Sequence, residues 1–242
     1  MLSIHVPSVD STNEYAKQLL SSHDEVYVTA DIQTNGKGRN GKVWNSGNAK
    51  DILFSHGKRI RKNIEHEPQI MQACAALSVQ AFLLHILPQS STVRIKYPND
   101  VYVKHADNIG KISGSLIETE YSGNTLTSIV TGIGININSI QEELATTNQS
   151  ISVKEILGHE CDLNGYRIDF VHTFTSFLSN KESVWKQWKD QLNILSKTVH
   201  ILSEHNAYVV SDILDDGRLL CLSGKEERII HSGDSIIYDI FE

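Results

Sequence analysis

The sequence predicts an α+β fold in which helices and strands share one large core and a short all-β tail follows. Three observations carry this expectation. Residues 68–87, PQIMQACAALSVQAFLLHIL, have the length and the Ala/Leu content of a helix and are apolar nearly all round, which marks a buried helix. Residues 92–138 are dense in β-branched residues punctuated by turn residues, the texture of successive strands. From Thr198 onward, short apolar segments alternate with polar turns, which reads as a small β-barrel of about 45 residues.

Taken in order, SVDSTNEYAKQLL is a turn into a helix. Ser11 and Glu14 form its capping box, and Tyr15, Ala16, Leu19 and Leu20 form its apolar face. EVYVTADI alternates and predicts a strand over 26–32; a glycine-rich loop and a second strand, DILFSHGKRI, follow. Beyond the buried helix, turns fall at Pro98-Asn99-Asp100, Asp107-Asn108 and Ser122-Gly123-Asn124, and the runs 111–121 and 125–137 predict a hairpin. Ser152 and Glu155 form a second capping box, opening a short helix. Residues 166–190 read as one long helix carrying Phe170, Phe174, Phe177, Leu178, Val184, Trp185 and Trp188. Asp215-Asp216-Gly217 is a turn between two strands of the tail.

Composition narrows the function classes. The 242 residues suit one large domain or one with a small appendage, and 40% hydrophobic with 21% charged residues implies a packed core. A net charge of −7 lacks the broad basic footprint of a nucleic-acid binder, so no nucleic acid is expected. No apolar run approaches the roughly 18–20 residues that span a bilayer, and the amino terminus has no secretion signal, so no membrane is expected either. Cys74, Cys161 and Cys221 are widely spaced and odd in number, which implies reduced thiols in a cytoplasmic protein. The 11 histidines form no ligand cluster, so no metal site built by the protein alone is expected.

The loop TADIQTNGKGRNGKVWNS contains Gly36-x-Gly38-x-x-Gly41. A dinucleotide fingerprint needs a helix directly after the glycines, and turn residues Asn45, Gly47 and Asn48 followed by a strand stand there instead. GIGININ also fails, with Ile137 where a third glycine belongs. Lys37, Arg39 and Lys42 are too few and too dilute for a nucleic-acid patch. A cationic loop whose glycines admit an anion close to backbone N–H groups remains, beside an ordinary solvated surface loop.

Five motifs in order, DSTNEYA, GKGRNGKVW, IKYPNDVYV, GKISGSLIE and GIGININ, resemble the biotin protein ligase family. The resemblance implies a catalytic core like that of class II aminoacyl-tRNA synthetases, with a mixed sheet flanked by helices, over residues 1–195. An SH3-like β-barrel over 196–242 follows. It implies adenylation of biotin by ATP with release of pyrophosphate, then transfer of biotin to a lysine of a biotin carboxyl carrier protein of a carboxylase. By the same resemblance Ser11, Thr12, Asn13, Gln33 and Gly114 hold the biotin head, and Gly36, Lys37 and Arg39 surround the carboxylate and phosphate end. Lys111 bridges the carboxylate and the α-phosphate from a hairpin start, and Lys96 lies near the phosphates. Trp44 orders the loop around the adenylate, Asn136 meets the adenine, Asn99 meets ATP or its Mg²⁺, and Asp100 orients the incoming lysine.

The chain departs from the commoner family pattern at several positions. Lys37 and Lys42 stand for arginines, Asn40 sits where another arginine is frequent, Tyr97 replaces a tryptophan, and Asp51 lies where asparagine is often found. The first motif begins near residue 8, so the helix-turn-helix of relatives that also repress transcription is not expected. The expected assembly is a monomer or a homodimer. The alternatives are a lipoate or octanoate ligase of the same superfamily and a non-catalytic biotin sensor. The full GKGRNGKVW loop and the carboxyl-terminal barrel favour biotin, and Lys111 with Arg39 argues against a sensor.

Overall fold

A computed structural model describes residues 1–45, 49–61, 66–140, 150–202, 206–231 and 236–242. The turn residues Gly47 and Asn48 lie outside the described residues. Strands β1 (Leu2–Val9), β2 (Glu25–Gln33), β3 (Ile52–Arg59), β4 (Thr92–Lys96), β5 (Asp100–His105), β6 (Asn108–Ser122) and β7 (Thr125–Ile135) form one sheet. Its order is β1-β2-β3-β7-β6-β5-β4. β1 and β2 run parallel and the other neighbours antiparallel, so the sheet is mixed.

Helices cover both faces. α1 (Thr12–Leu19) lies on β2, β3 and β7, where Ala16 and Leu20 meet Val26, Val28 and Val130 in a small core of their own. The opposite face carries α2 (Glu67–Ile86), and α4 (Leu163–Ser179) and α5 (Lys181–Leu192) pack against α2; α3 (Val153–Leu157) is a single short turn of helix. Phe54 of β3 sits edge-on to Phe170 and Phe174 of α4, with ring centroids 5.5 and 5.1 Å away. By length and composition α2 could cross a membrane, contrary to the expectation that no segment approaches that limit. Met71, Ala75, Val79, Phe82 and Leu83 are buried in the core instead, which accounts for its apolar circumference.

β8 (Thr198–Ile201), β9 (Ala207–Ile213), β10 (Leu219–Ser223), β11 (Glu226–Ile230) and β12 (Ile236–Ile237) form the second sheet, antiparallel in the order β11-β10-β9-β8-β12. This curled sheet fits the small barrel expected of the tail. Val199, Tyr208, Val210, Leu219 and Cys221 belong to the same apolar cluster as α2 and the large sheet.

Four local expectations need correction. The helix expected over 166–190 is two helices, broken at Asn180 (φ −117, ψ 37), because the apolar period continues in phase across the break and hides it. β1 was not anticipated: Pro7 breaks its alternation, and an edge strand tolerates the missing N–H. Ser11 occupies the N-cap of α1 without making a side-chain cap bond, whereas the Ser152–Glu155 box forms both of its bonds. The hairpin strand expected from residue 111 begins at Asn108, so Lys111 stands inside β6 rather than at its start.

Candidate active site

A cleft of about 720 Å³ opens over the carboxyl ends of β2 and β7, the start of α1, the middle of β6, the β4–β5 turn and the glycine loop. Thirteen of the fourteen residues singled out from the sequence line it: Ser11, Thr12, Asn13, Gln33, Lys37, Arg39, Trp44, Lys96, Asn99, Asp100, Lys111, Gly114 and Asn136. Gly36 lies behind the wall, buried at the neck of the loop, where a Cβ would collide with the Trp44 carbonyl.

One end of the cleft is a set of neutral hydrogen-bonding groups. The Gln33 Oε1 accepts from the Thr12 N–H (2.8 Å) and hydroxyl (2.9 Å). The buried Ser55 hydroxyl lies 2.8 Å from Thr12 Oγ1 and 2.6 Å from Asn13 Oδ1, and the Asn13 amide donates to Glu118 (2.7 Å). Asn13 packs on Gly132, where any Cβ would overlap its amide oxygen. The polar groups at this end are therefore oriented by one another before a ligand arrives.

The other end is cationic. Lys37, Arg39, Lys42, Lys96 and Lys111 line the cleft, against the single carboxylate of Asp100. Arg39 donates to Asn99 Oδ1 at 2.8 Å, and the Asn99 amide in turn donates to the Ser115 carbonyl. Lys111 pairs with Asp100 at 2.7 Å and lies 6.0 Å from the centre of the Trp44 ring. Lys96 lies 5.6 Å from the ring centre of Tyr102. Asn99 and Asp100 thus hold the two central cations from one turn.

The loop itself is a tight hairpin. Gly38 N–H donates to the Lys42 carbonyl (2.7 Å), Trp44 N–H to Gly36 (3.0 Å), and Lys37 bridges to Val43. Its tip turns through Asn40 (φ 54) and Gly41 (φ 73). Asparagine tolerates this left-handed geometry far better than most residues, a local reason for Asn40 to stand there. The Lys37 ammonium, at the edge of the cleft, lies 2.6 Å from Glu14 Oε1. Hydrogen bonds from Lys37 and then Lys17 hold the Glu14 carboxyl below the usual carboxylate range.

Three buried polar atoms in this cleft have no hydrogen-bond partner among the described residues: Trp44 Nε1, Ser115 Oγ and Asn136 Oδ1. Each such atom costs about 1–3 kcal/mol unless something else satisfies it. The Trp44 indole packs on Gly134, where a Cβ would run into the ring. Gly132 and Gly134 entered the sequence reading as a failed dinucleotide motif and as part of the family motif GIGININ, with no packing role of their own. Glycines two apart on one strand face admit close neighbours, a signal that was available in the sequence. Ser55, Ser115 and Glu118 carried no such mark, since single polar residues in strands are common. Asp51 is fully buried and accepts from Ile137 N–H (2.8 Å) and the Ser139 hydroxyl (2.5 Å), which fixes the backbone just past Asn136.

Among the described residues no three His, Cys, Asp or Glu side chains gather to hold a metal. Asn99, implied to meet ATP or its Mg²⁺, receives Arg39 on its amide oxygen.

The model of the biotin/lipoate A/B protein ligase family matches residues 5–136, more than half of the chain. A bifunctional ligase/repressor of Bacillus spizizenii is 28% identical over 166 residues, which are 67% of this chain and 49% of that protein. A biotin–[acetyl-CoA-carboxylase] ligase of Paracoccus denitrificans is 30% identical over 159 residues, 63% of each. The chain therefore spans about half the length of the first of these relatives and under two thirds of the second. The solved structure of a biotin protein ligase from Aquifex aeolicus in complex with biotin and ATP superposes with a TM-score of 0.72 at 27% identity, covering 98% of this chain and 99% of that one.

Proposed function

The chain belongs to the biotin/lipoate A/B protein ligase family, and from that premise we propose that it is an ATP-dependent biotin protein ligase acting on a lysine of a biotin carboxyl carrier protein. The observation that carries this reading is the division of one cleft into a neutral hydrogen-bonding end and a cationic end. Biotin offers the matching halves: an apolar bicycle with a ureido group, and a carboxylate. The relatives and solved structures named as biotin ligases support the same choice. Residues 1–195 would form the catalytic unit and 196–242 the appended barrel.

In the first step a carboxylate oxygen of biotin bonds to the α-phosphorus of ATP, and the bond to the bridging oxygen of pyrophosphate breaks. The reactants are both anions, so the chain's task is charge stabilisation and alignment rather than nucleophilic attack. Arg39 and Lys111, held by Asn99 and Asp100, would face the carboxylate and α-phosphate; Lys96 would face the remaining phosphates. Thr12, Gln33, Ser11 and Asn13 would hold the ureido group, and Gly114 would let the ligand lie against backbone. Trp44 Nε1 and Asn136 Oδ1 would find their partners on the nucleotide. Magnesium would arrive as the companion of the ATP phosphates, and no step here is assigned to it.

In the second step the carrier amine attacks the biotinyl carbonyl, AMP leaves with the bonding pair, and the amine loses its proton. Asp100 would orient the amine. Closure of the cationic hairpin over the intermediate would keep water from the mixed anhydride.

A lipoyl or octanoyl ligase shares the family and the adenylation chemistry. Exchange of labelled pyrophosphate into ATP separates the two. The reading expects exchange that depends on biotin and not on lipoate; exchange supported by lipoate alone would overturn it.

A further inference from the structure

The turn that holds both central cations is itself held by the carboxyl-terminal sheet. Tyr97 is buried, with 4% of its surface exposed, and its N–H donates to the Tyr238 hydroxyl at 2.9 Å. Its own hydroxyl donates to the Gly217 carbonyl at 2.9 Å, in the β9–β10 turn. The next residue, Pro98, accepts from the Trp188 indole at 3.2 Å. The following two residues are Asn99, which holds Arg39, and Asp100, which holds Lys111. Three contacts from α5 and the second sheet thus converge on two residues directly before the pair that sets the cations.

We propose that Tyr97 and Tyr238 are positioning residues for the adenylation step. They transmit the placement of the carboxyl-terminal sheet to the Arg39–Asn99 and Lys111–Asp100 pairs. The inference rests on the function proposed above and adds to it a route by which residues distant in sequence set the reactive geometry. A general helper of stability would not need to bind the backbone at this turn. Burial keeps both hydroxyls protonated, pushing Tyr97 up to about 12 and Tyr238 higher still. The neutral end of the cleft, built from α1, β2 and β3, does not touch these bonds.

The test uses the full chain with Tyr97→Phe, Tyr238→Phe and the double variant. Each change keeps the ring and removes one hydroxyl. Biotin affinity by calorimetry, the maximal rate of biotin-dependent pyrophosphate exchange, and the folded fraction by circular dichroism are read together. A misplacement on the ångström scale costs up to about 100-fold in rate. The expected result is a fall in maximal exchange of about 5- to 100-fold per folded molecule, with biotin affinity within about twofold of the parent. The double variant is expected to fall less than the product of the single effects, because both hydroxyls act on one turn. Parental exchange rates per folded molecule in both single variants overturn the proposal, whatever happens to the melting temperature. Equal loss of biotin affinity and exchange also overturns it, since that is the mark of general loosening. An unmodified chain with no biotin-dependent exchange overturns the functional reading and this inference with it.

Discussion

Lys111 shows how far a single residue can be read. Its place in GKISG was legible as a motif, and the structure brings its ammonium to Asp100 and within 6.0 Å of the Trp44 ring centre. Lys37 was not legible in the same way. Its partner, Glu14, lies on a helix that only the folded chain brings to the loop, so the motif that implied Lys37 at the cleft carried no sign of this ion pair. The two lysines therefore call for different expectations. Lys111→Ala removes a donor from the place where charge develops, worth a loss of about 100- to 1,000-fold for groups of this kind. Pyrophosphate exchange should drop by that order while the circular dichroism spectrum and melting temperature stay near the parental values; retained exchange would remove Lys111 from the mechanism. The Lys37–Glu14 pair is partly exposed on both sides, and such pairs contribute little to stability.

At the scale of elements, β7 carries the information that sequence reading undervalued. Gly132 and Gly134 project toward the cleft from one face of the strand, and each gives up its side chain to a packed neighbour, Asn13 and Trp44. Gly134→Ala would push the indole away from the strand. The expected outcome is a tenfold or greater loss of exchange, on the order of what small misplacements cause. Overpacking of this kind costs roughly 1–3 kcal/mol of stability, checked by denaturant unfolding. The β2–β3 pairing carries a second consequence. His56 is buried on β3, hydrogen-bonded to Glu25 at 2.9 Å, and burial holds its pKa below the ordinary 6.5 despite that bond. The unfolded chain therefore binds this proton first, so stability is full above about pH 6.5 and is lost as the pH falls below it. One proton allows a slope of at most about 1.4 kcal/mol per pH unit. Denaturant midpoints between pH 7.5 and 5.5, a range of about two units around that ordinary value, should fall with acid, and His56→Gln should flatten the trend. The same scale explains what the sequence concealed. Strong periodicity made α2 and the β6–β7 hairpin legible. The break at Asn180 was invisible because Phe174, Phe177, Val184 and Trp188 keep phase across it, and β1 was masked by Pro7.

For the whole molecule, a net charge of −7 coexists with a cleft lined by five cations and one carboxylate. Average charge governs solubility and long-range encounter; the local field governs which anions the cleft gathers. Composition therefore speaks only of the average and said nothing about this local surface. The mixed sheet apart from β1, the helices around it apart from the break at Asn180, and the curled tail were foreseeable from patterning and motif order. The convergence of α5 and the tail on the 97–100 turn was not, because those contacts join residues roughly 90 to 140 positions apart. The central claim is that this molecule lets two mutually repelling anions react and then passes the product to a protein amine. Its most direct measurement is the mass of an isolated biotin carboxyl carrier domain after incubation with the chain, biotin and Mg-ATP, beside the Lys111→Ala variant. The account predicts one biotinyl group per carrier with the parent chain, none when biotin or ATP is left out, and almost none with the variant. A carrier left unmodified by the parent chain, or modified equally by the variant, would contradict it.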